Sequence, residues 1–191
     1  SSGVSPCQPA YCQEFDEATS FGVISDDDTQ VADDFTTDMN TLVCFVCVKG
    51  DYDSTGPDPT NSDEFQVRYF ADNGGVPGRV LAVFNQGVDL LVEGPARTGQ
   101  VVEGQYTQFE YKLKHLPLPV AAGQRVWVEV RNQIPQWFWS SSPEGNGTSY
   151  QRFNGVGAYS AGDKQNRDMA MCVGPIETCP TDVNNDGVTN F

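Results

Sequence analysis

Asp182, Asn184 and Asp186, followed by Gly187 and Asn190, are spaced in "CPTDVNNDGVTNF" like the parts of a D-x-[DN]-x-[DN]-G calcium loop. They fall at the first, third and fifth ligands, the turn glycine and the ninth-position oxygen, and the Val188 carbonyl would be the seventh ligand. Short side-chain oxygens at alternate positions suit a hard cation, because each can turn inward as the chain winds round the ion. The bidentate acid of the twelfth position would fall beyond Phe191, where this sequence ends. Three readings stay open: a longer natural chain supplies the acid, a neighbouring molecule supplies it, or the segment is an Asx-rich turn without metal. Lacking that acid, the loop should bind calcium weakly, since ligand number and charge set affinity. A second oxygen-rich stretch, "SDDDTQVADDF", makes Asp26, Asp27, Asp28, Asp33 and Asp34 candidates for another calcium, set against a plain solvated acidic loop.

Catalytic chemistry finds fewer residues. No G-x-S-x-G elbow is present, and the single histidine, His115 in "KLKHLPLP", is expected at a surface or turn position past an amphipathic strand. Glu110 and Glu129, on strands expected to be neighbours, could form a glycosidase-type carboxylate pair, but alternation puts both on wet faces where an acid-rich sheet offers such pairs by chance. "CFVC", from Cys44 to Cys47, has a zinc or redox spacing. It lies in an apolar β-branched run with no second CxxC and no nearby histidine, so a buried strand is the expectation. The chain is therefore read as no enzyme. "QWFWSSS" carries a different chemistry: along a strand Trp137 and Trp139 share one face and Phe138 takes the other. The two rings, extended by Trp127, would be either core or a platform that stacks on sugar faces. "NGT" at Asn146 fits a glycosylation acceptor.

The elements that would position these residues read as strands. "DEFQVRYFAD" sets Phe65, Val67 and Tyr69 against Glu64, Gln66 and Arg68, and "TQFEYKL" sets Phe109, Tyr111 and Leu113 against Gln108, Glu110 and Lys112. "QRVWVEV" puts Val126, Val128 and Val130 on one side, while its other side carries Trp127 as well as Glu129, so both of its faces are expected to be covered. Between such segments "DNGGVPG", "GPARTG", "LPLPVAAG" and "SSPEGNG" supply the residues that turns require. With 19 glycines, 12 prolines and no capped amphipathic stretch, helices are not expected. The fold class is all-β, a β-sandwich of jelly-roll kind, with an N-terminal extension over residues 1–14, the sandwich over 15–174 and a calcium-loop tail over 175–191.

Charge and cysteines narrow the setting. A net charge of −15, from 26 acidic and 11 basic residues, repels phosphate backbones and argues against a nucleic-acid partner. No apolar run approaches the ~20 residues of a membrane span. Six cysteines, Cys7, Cys12, Cys44, Cys47, Cys172 and Cys179, form an even set expected to be disulfide-bonded, in a pairing that sequence cannot choose. "SSGVSPC", without a charged-then-apolar leader, reads as a mature N-terminus, and with the cysteines it leads to the expectation of a secreted or cell-surface location.

"VADDFT", an apolar strand ending in "GDY", "FQVRYFADNGGVPG", "LPLPVAAGQRVWVEV", "WFWSSS" and "DMAMCV" occur in that order. Together they resemble a β-sandwich domain common in large secreted bacterial proteins, over roughly residues 15 to 173, and the tail is similar to the first half of a dockerin-type calcium repeat. The resemblance implies a domain without assigned catalytic activity. Two function classes follow as expectations. One is a structural or adhesive secreted module, calcium-dependent and self-assembling through exchange of terminal strands. The other is a carbohydrate-binding module that holds a polysaccharide on the tryptophan face.

Overall fold

The computed structural model describes residues 9–52, 63–133, 137–153 and 157–175, and it is a β-sandwich of two antiparallel sheets. The first sheet has eight strands: β1 (Tyr11–Gln13), β2 (Gly22–Ile24), β4 (Thr41–Tyr52), β7 (Leu90–Val102), β8 (Tyr106–Val120), β10 (Trp137–Ser142), β13 (Asp168–Met169) and β14 (Met171–Gly174). The second has six: β3 (Thr29–Phe35), β5 (Phe65–Asp72), β6 (Pro77–Asn85), β9 (Val126–Asn132), β11 (Ser149–Phe153) and β12 (Lys164–Gln165). Its strand order is β12-β11-β3-β9-β5-β6, so most neighbours come from distant parts of the chain. Among the described residues the one helical element is a short 3-10 turn, Ala161–Asp163. β1 falls in the stretch read as an N-terminal extension, yet it belongs to the first sheet by pairing with β14.

Alternation builds the core. Phe65, Val67 and Tyr69 of β5 and Val126, Val128 and Val130 of β9 are fully buried on one side of the second sheet. They meet Val43, Val46 and Val48 of β4, Tyr111 and Leu113 of β8, and the two tryptophans of β10 from the first. Each such side chain stabilises the fold by about 1.5–3 kcal/mol through removal from water. Phe65 ties the layers together, with its ring edge-on to Trp137 at 5.4 Å and tilted against Tyr111 at 4.7 Å.

Two expected turns are strand instead. "GPARTG" lies within β7 and "LPLPV" within β8. Among the described strands β7 pairs with β8 alone, and its register slips between Glu93 and Ala96 and again between Arg97 and Val101, so Pro95 and the glycines sit on a bulged edge. β7 reaches no further along β8 than His115, opposite Leu90. From Leu116 to Val120 the strand therefore has β4 alone as partner, and a proline's missing N–H costs little there.

His115 consequently lies inside β8 and not in a surface turn. It is wholly buried, its ring stacked on Phe84 at 4.3 Å. Nδ1 is 2.8 Å from the Leu116 carbonyl and Nε2 is 2.7 Å from the Tyr69 hydroxyl. A carbonyl only accepts, so Nδ1 carries the proton and Nε2 accepts from Tyr69; the neutral ring is satisfied at both nitrogens. Burial pushes its pKa down to about 4. Between that value and the unfolded value of about 6.5 the unfolded chain binds the extra proton, so stability is full above the unfolded pKa and is lost as pH falls through the window. The loss should reach about 3 kcal/mol by pH 4. Chemical denaturation from pH 7 to pH 4 should show that drop in the wild type and not in His115→Gln; parallel curves for the two would refute it.

Candidate functional site

The three tryptophans are not a surface platform. β10 runs between β4 and β2, and the inward face of Trp137 and Trp139 is the dry one. The rings stack at 6.5 Å and Trp139 Nε1 donates to the Ala170 carbonyl at 3.0 Å. Gly50 makes room for them: a Cβ there would stand 2.8 Å from the Trp137 ring. Trp127 is buried on the outer face of the second sheet, beneath Tyr150 at 5.2 Å, with Nε1 donating to Asp72 Oδ1 at 2.9 Å. Phe70 and Tyr159 complete this cover, which meets the expectation that both faces of β9 are shielded.

The aspartates of "SDDDTQVADDF" are not drawn to a common point among the described residues, and Asp27 pairs with Arg131 at 3.1 Å. Asp26 Oδ1 accepts the Asp28 and Thr29 amides at 3.0 and 2.8 Å and so closes its own turn. Asp33 is fully buried; its carboxylate accepts the Met169 amide at 2.6 Å and the Asp34 amide at 2.8 Å, which pins β13 of one sheet to β3 of the other. Burial pushes the Asp33 carboxyl well above the usual range. Both Asp34 carboxylate oxygens accept from Asn146 Nδ2, at 2.8 and 2.9 Å, and the group pairs with Arg125 at 3.3 Å. The Asn146 side chain, read as a glycan acceptor, is thus used as a brace. Asp168 gathers the amides of Asn146, Gly147 and Thr148 at 3.3, 2.5 and 3.2 Å. Gly145, at φ +105°, lets the loop close over it, since a Cβ there would fall 2.5 Å from the Asp168 carboxyl carbon.

Glu129 occupies a centre that alternation alone misplaced. It points to the outer face of the second sheet but is fully buried. Arg152 Nη2 lies 3.0 Å away, the Tyr159 hydroxyl donates at 2.7 Å and Arg68 stands at 3.6 Å. Arg152 also donates from Nε to Gln30 Oε1 at 3.2 Å and from Nη1 to the Gly157 carbonyl, with its guanidinium 4.5 Å over the Tyr159 ring. Burial, and then the Glu129 charge, push the Tyr159 phenol well above its ordinary pKa. Beside this cluster is a cavity of about 370 Å³ lined by Arg68, Phe70, Arg79, Arg152 and Tyr159. Glu110 lies on β8 of the first sheet, so the two glutamates belong to different sheets and are not neighbours. The sequence did hold a signal for this centre: arginines amid aromatics in "QVRYF" and "YQRF" ask for a buried partner.

Cys12 and Cys172 form a disulfide that staples β1 to β14. Cys44 is disulfide-bonded as well. Cys47 is a free thiol, which corrects the expectation that all six cysteines are oxidised. Cys44 is fully buried and already bonded, and Cys47 is a half-buried thiol, so the "CFVC" pair does not offer two thiolates to one ion. Glu14 lies beside the Cys12–Cys172 sulfurs, but those sulfurs are bonded to each other and offer no thiolate ligand. Cys7, Cys179 and the calcium-loop residues Asp182, Asn184, Asp186, Val188 and Asn190 lie outside the described residues. Neither a scan against models of known protein families nor a search of curated proteins finds a match to this chain.

Proposed function

We propose that this chain is a non-catalytic, secreted β-sandwich module that serves as a structural or adhesive piece of an extracellular assembly and joins copies through strand pairing. The observation that carries the reading is the open edge at β6. Among the described residues this nine-residue strand ends the second sheet and pairs on one side only, with β5. "PGRVLAVFN" holds Arg79 as its single charge, and Val80 and Val83 are 50% and 37% exposed. Natural monomers blunt such edges with charge, proline or bulges, as β7 does with Glu93, Pro95, Arg97 and its two register slips. β6 shares part of this protection, with Pro77 at its start and two register slips against β5, but it holds one charge where β7 holds two and it exposes two valines, so it is a template for another strand. Pairing β6 with its own copy gives a two-fold dimer, and pairing it with the short edge strand β1 of another copy gives an open chain. The Cys12–Cys172 disulfide supports an oxidising compartment.

Light scattering over a range of concentrations should give masses above the monomer, and Val80→Lys with Val83→Lys should return the protein to a monomer. A monomer at every concentration would overturn the reading. The same reading assigns calcium to the tail loop of Asp182, Asn184, Asp186, Val188 and Asn190, with its missing acid supplied in cis or by a neighbour. Scattering with calcium and then with chelator tests that part.

A carbohydrate-binding module is the second reading, and the arginine-lined cavity is the observation that favours it. Arg79 at its rim and Phe70 and Tyr159 in its wall suit the carboxylate or sulfate of an acidic sugar whose ring packs on an apolar surface. Retention on an acidic polysaccharide column that is lost in Arg79→Ala would move the assignment to this reading.

A further inference from the structure

Cys12, Cys172 and Cys47 stand in one row across three adjacent strands. Cys12 is opposite Cys172 in the β1–β14 ladder, and Cys172 is opposite Cys47 in the β14–β4 ladder. Residues directly opposite in antiparallel strands project to the same face. The Cα atoms of Cys12 and Cys172 are 4.1 Å apart, the closer spacing of a pair whose N–H and C=O groups point away from each other. Cys172 therefore directs those groups toward Cys47, which makes the second pair a hydrogen-bonded one with a Cα spacing of about 5.5 Å. That lies within the roughly 4.4–6.8 Å usual for a disulfide. Cys47 and Cys172 also line the same cavity, of about 210 Å³, together with Lys49, Glu110 and Lys112.

We propose that this row is a thiol–disulfide exchange site, in which the Cys47 thiolate attacks Cys172 Sγ, forms a Cys47–Cys172 disulfide and releases Cys12 as a thiolate. The order of the row places the attacking sulfur on the side of Cys172 away from Cys12, as displacement along the S–S axis requires. One S–S bond breaks and one forms. The proton lost from Cys47 goes to solvent and one returns to Cys12, so no oxidant or reductant is consumed. The product moves the covalent staple from β1–β14 to β14–β4 and removes the Cys12–Cys172 link between the three-residue β1 and its neighbour.

The surroundings set the rate. Burial and Glu110 push the Cys47 thiol up to about 12; Lys112 and then Lys49 oppose that rise, and Glu93 adds to it. Glu14 faces the disulfide from the β1 side and is paired with Lys49 at 3.0 Å. The exchange is accordingly slow near neutrality and rises about tenfold per pH unit as the thiolate fraction grows. Being intramolecular, it is first order in protein and holds whether or not copies associate.

The test uses the full oxidised chain without added thiol, held at about pH 7 and about pH 9.5 with iodoacetamide present, then digested without reduction and mapped by mass. The expected products are a Cys47–Cys172 linked peptide and alkylated Cys12, formed more than 100-fold faster at the higher pH and with a first-order rate constant independent of protein concentration. Cys47→Ala should give neither product. Alkylation confined to Cys47, with Cys12–Cys172 persisting as the linkage, would overturn the proposal. So would alkylated Cys12 from Cys47→Ala at the wild-type rate, or an apparent first-order rate constant that rises in proportion to protein concentration.

Discussion

Replacing Trp137 or Trp139 with alanine is expected to destabilise the fold by about 3–5 kcal/mol, the loss that accompanies removal of a large, fully buried ring. Both side chains are inaccessible to solvent, and Gly50 is shaped around the first of them. Phenylalanine should separate the two positions. Trp139 donates its indole N–H to the Ala170 carbonyl, whereas Trp137 Nε1 is buried without a hydrogen-bond partner among the described residues. Trp137→Phe removes a polar atom that gains nothing from burial, while Trp139→Phe leaves the Ala170 carbonyl unpaired, a difference of about 1–3 kcal/mol. Equilibrium denaturation of the four variants checks this. Near wild-type stability for either alanine variant would mean that the ring is exposed and would reopen the platform reading.

Truncation of Glu129 to alanine should cost as much, about 3–5 kcal/mol, because it leaves Arg152 and Arg68 facing a site from which their counter-charge has gone. Arg152→Ala should be similar. Its loss frees Glu129, Gln30 and the Gly157 carbonyl and removes the cation beneath the Tyr159 ring. The two effects should be far from additive, since after the first change the second removes a group that is already unpaired. Glu129→Leu combined with Arg152→Met should recover much of the loss. A double-mutant cycle with no coupling would show that the pair is solvated and that the outer face of the second sheet is open.

Much of this architecture is legible in the chain because period-2 alternation is a local signal. Phe65, Val67 and Tyr69, or Val126, Val128 and Val130, announce a dry face without reference to the rest of the molecule. The same alternation shows that Trp137 and Trp139 share a face. Whether that face meets the opposite sheet or a ligand depends on strand order, a long-range property. Glu129 and His115 fail for a related reason. The first is covered by Tyr159 from a segment 30 residues away, and the second by Phe84 and Tyr69 across the sandwich. Gly and Pro punctuation misled in "GPARTG" and "LPLPV" because a strand lacking a neighbour on one side loses little to proline. The cysteine row is invisible in sequence, since it exists only once the β1–β14–β4 register is set. The "ADDF" acids read as metal ligands because oxygen-rich loops bind cations, but here backbone amides and an asparagine satisfy them.

The central claim is that copies of this module pair along the edge at β6, and hydrogen exchange of the β6 amides measures it most directly. The outward N–H groups between Gly78 and Phe84 have no ladder partner among the described residues of a single copy, so they should exchange fast in dilute protein and become protected as concentration rises. In Val80→Lys with Val83→Lys they should stay fast at every concentration, while the β5–β9 ladder remains protected in both proteins. Exchange at β6 that does not change with concentration in the wild type would contradict the account.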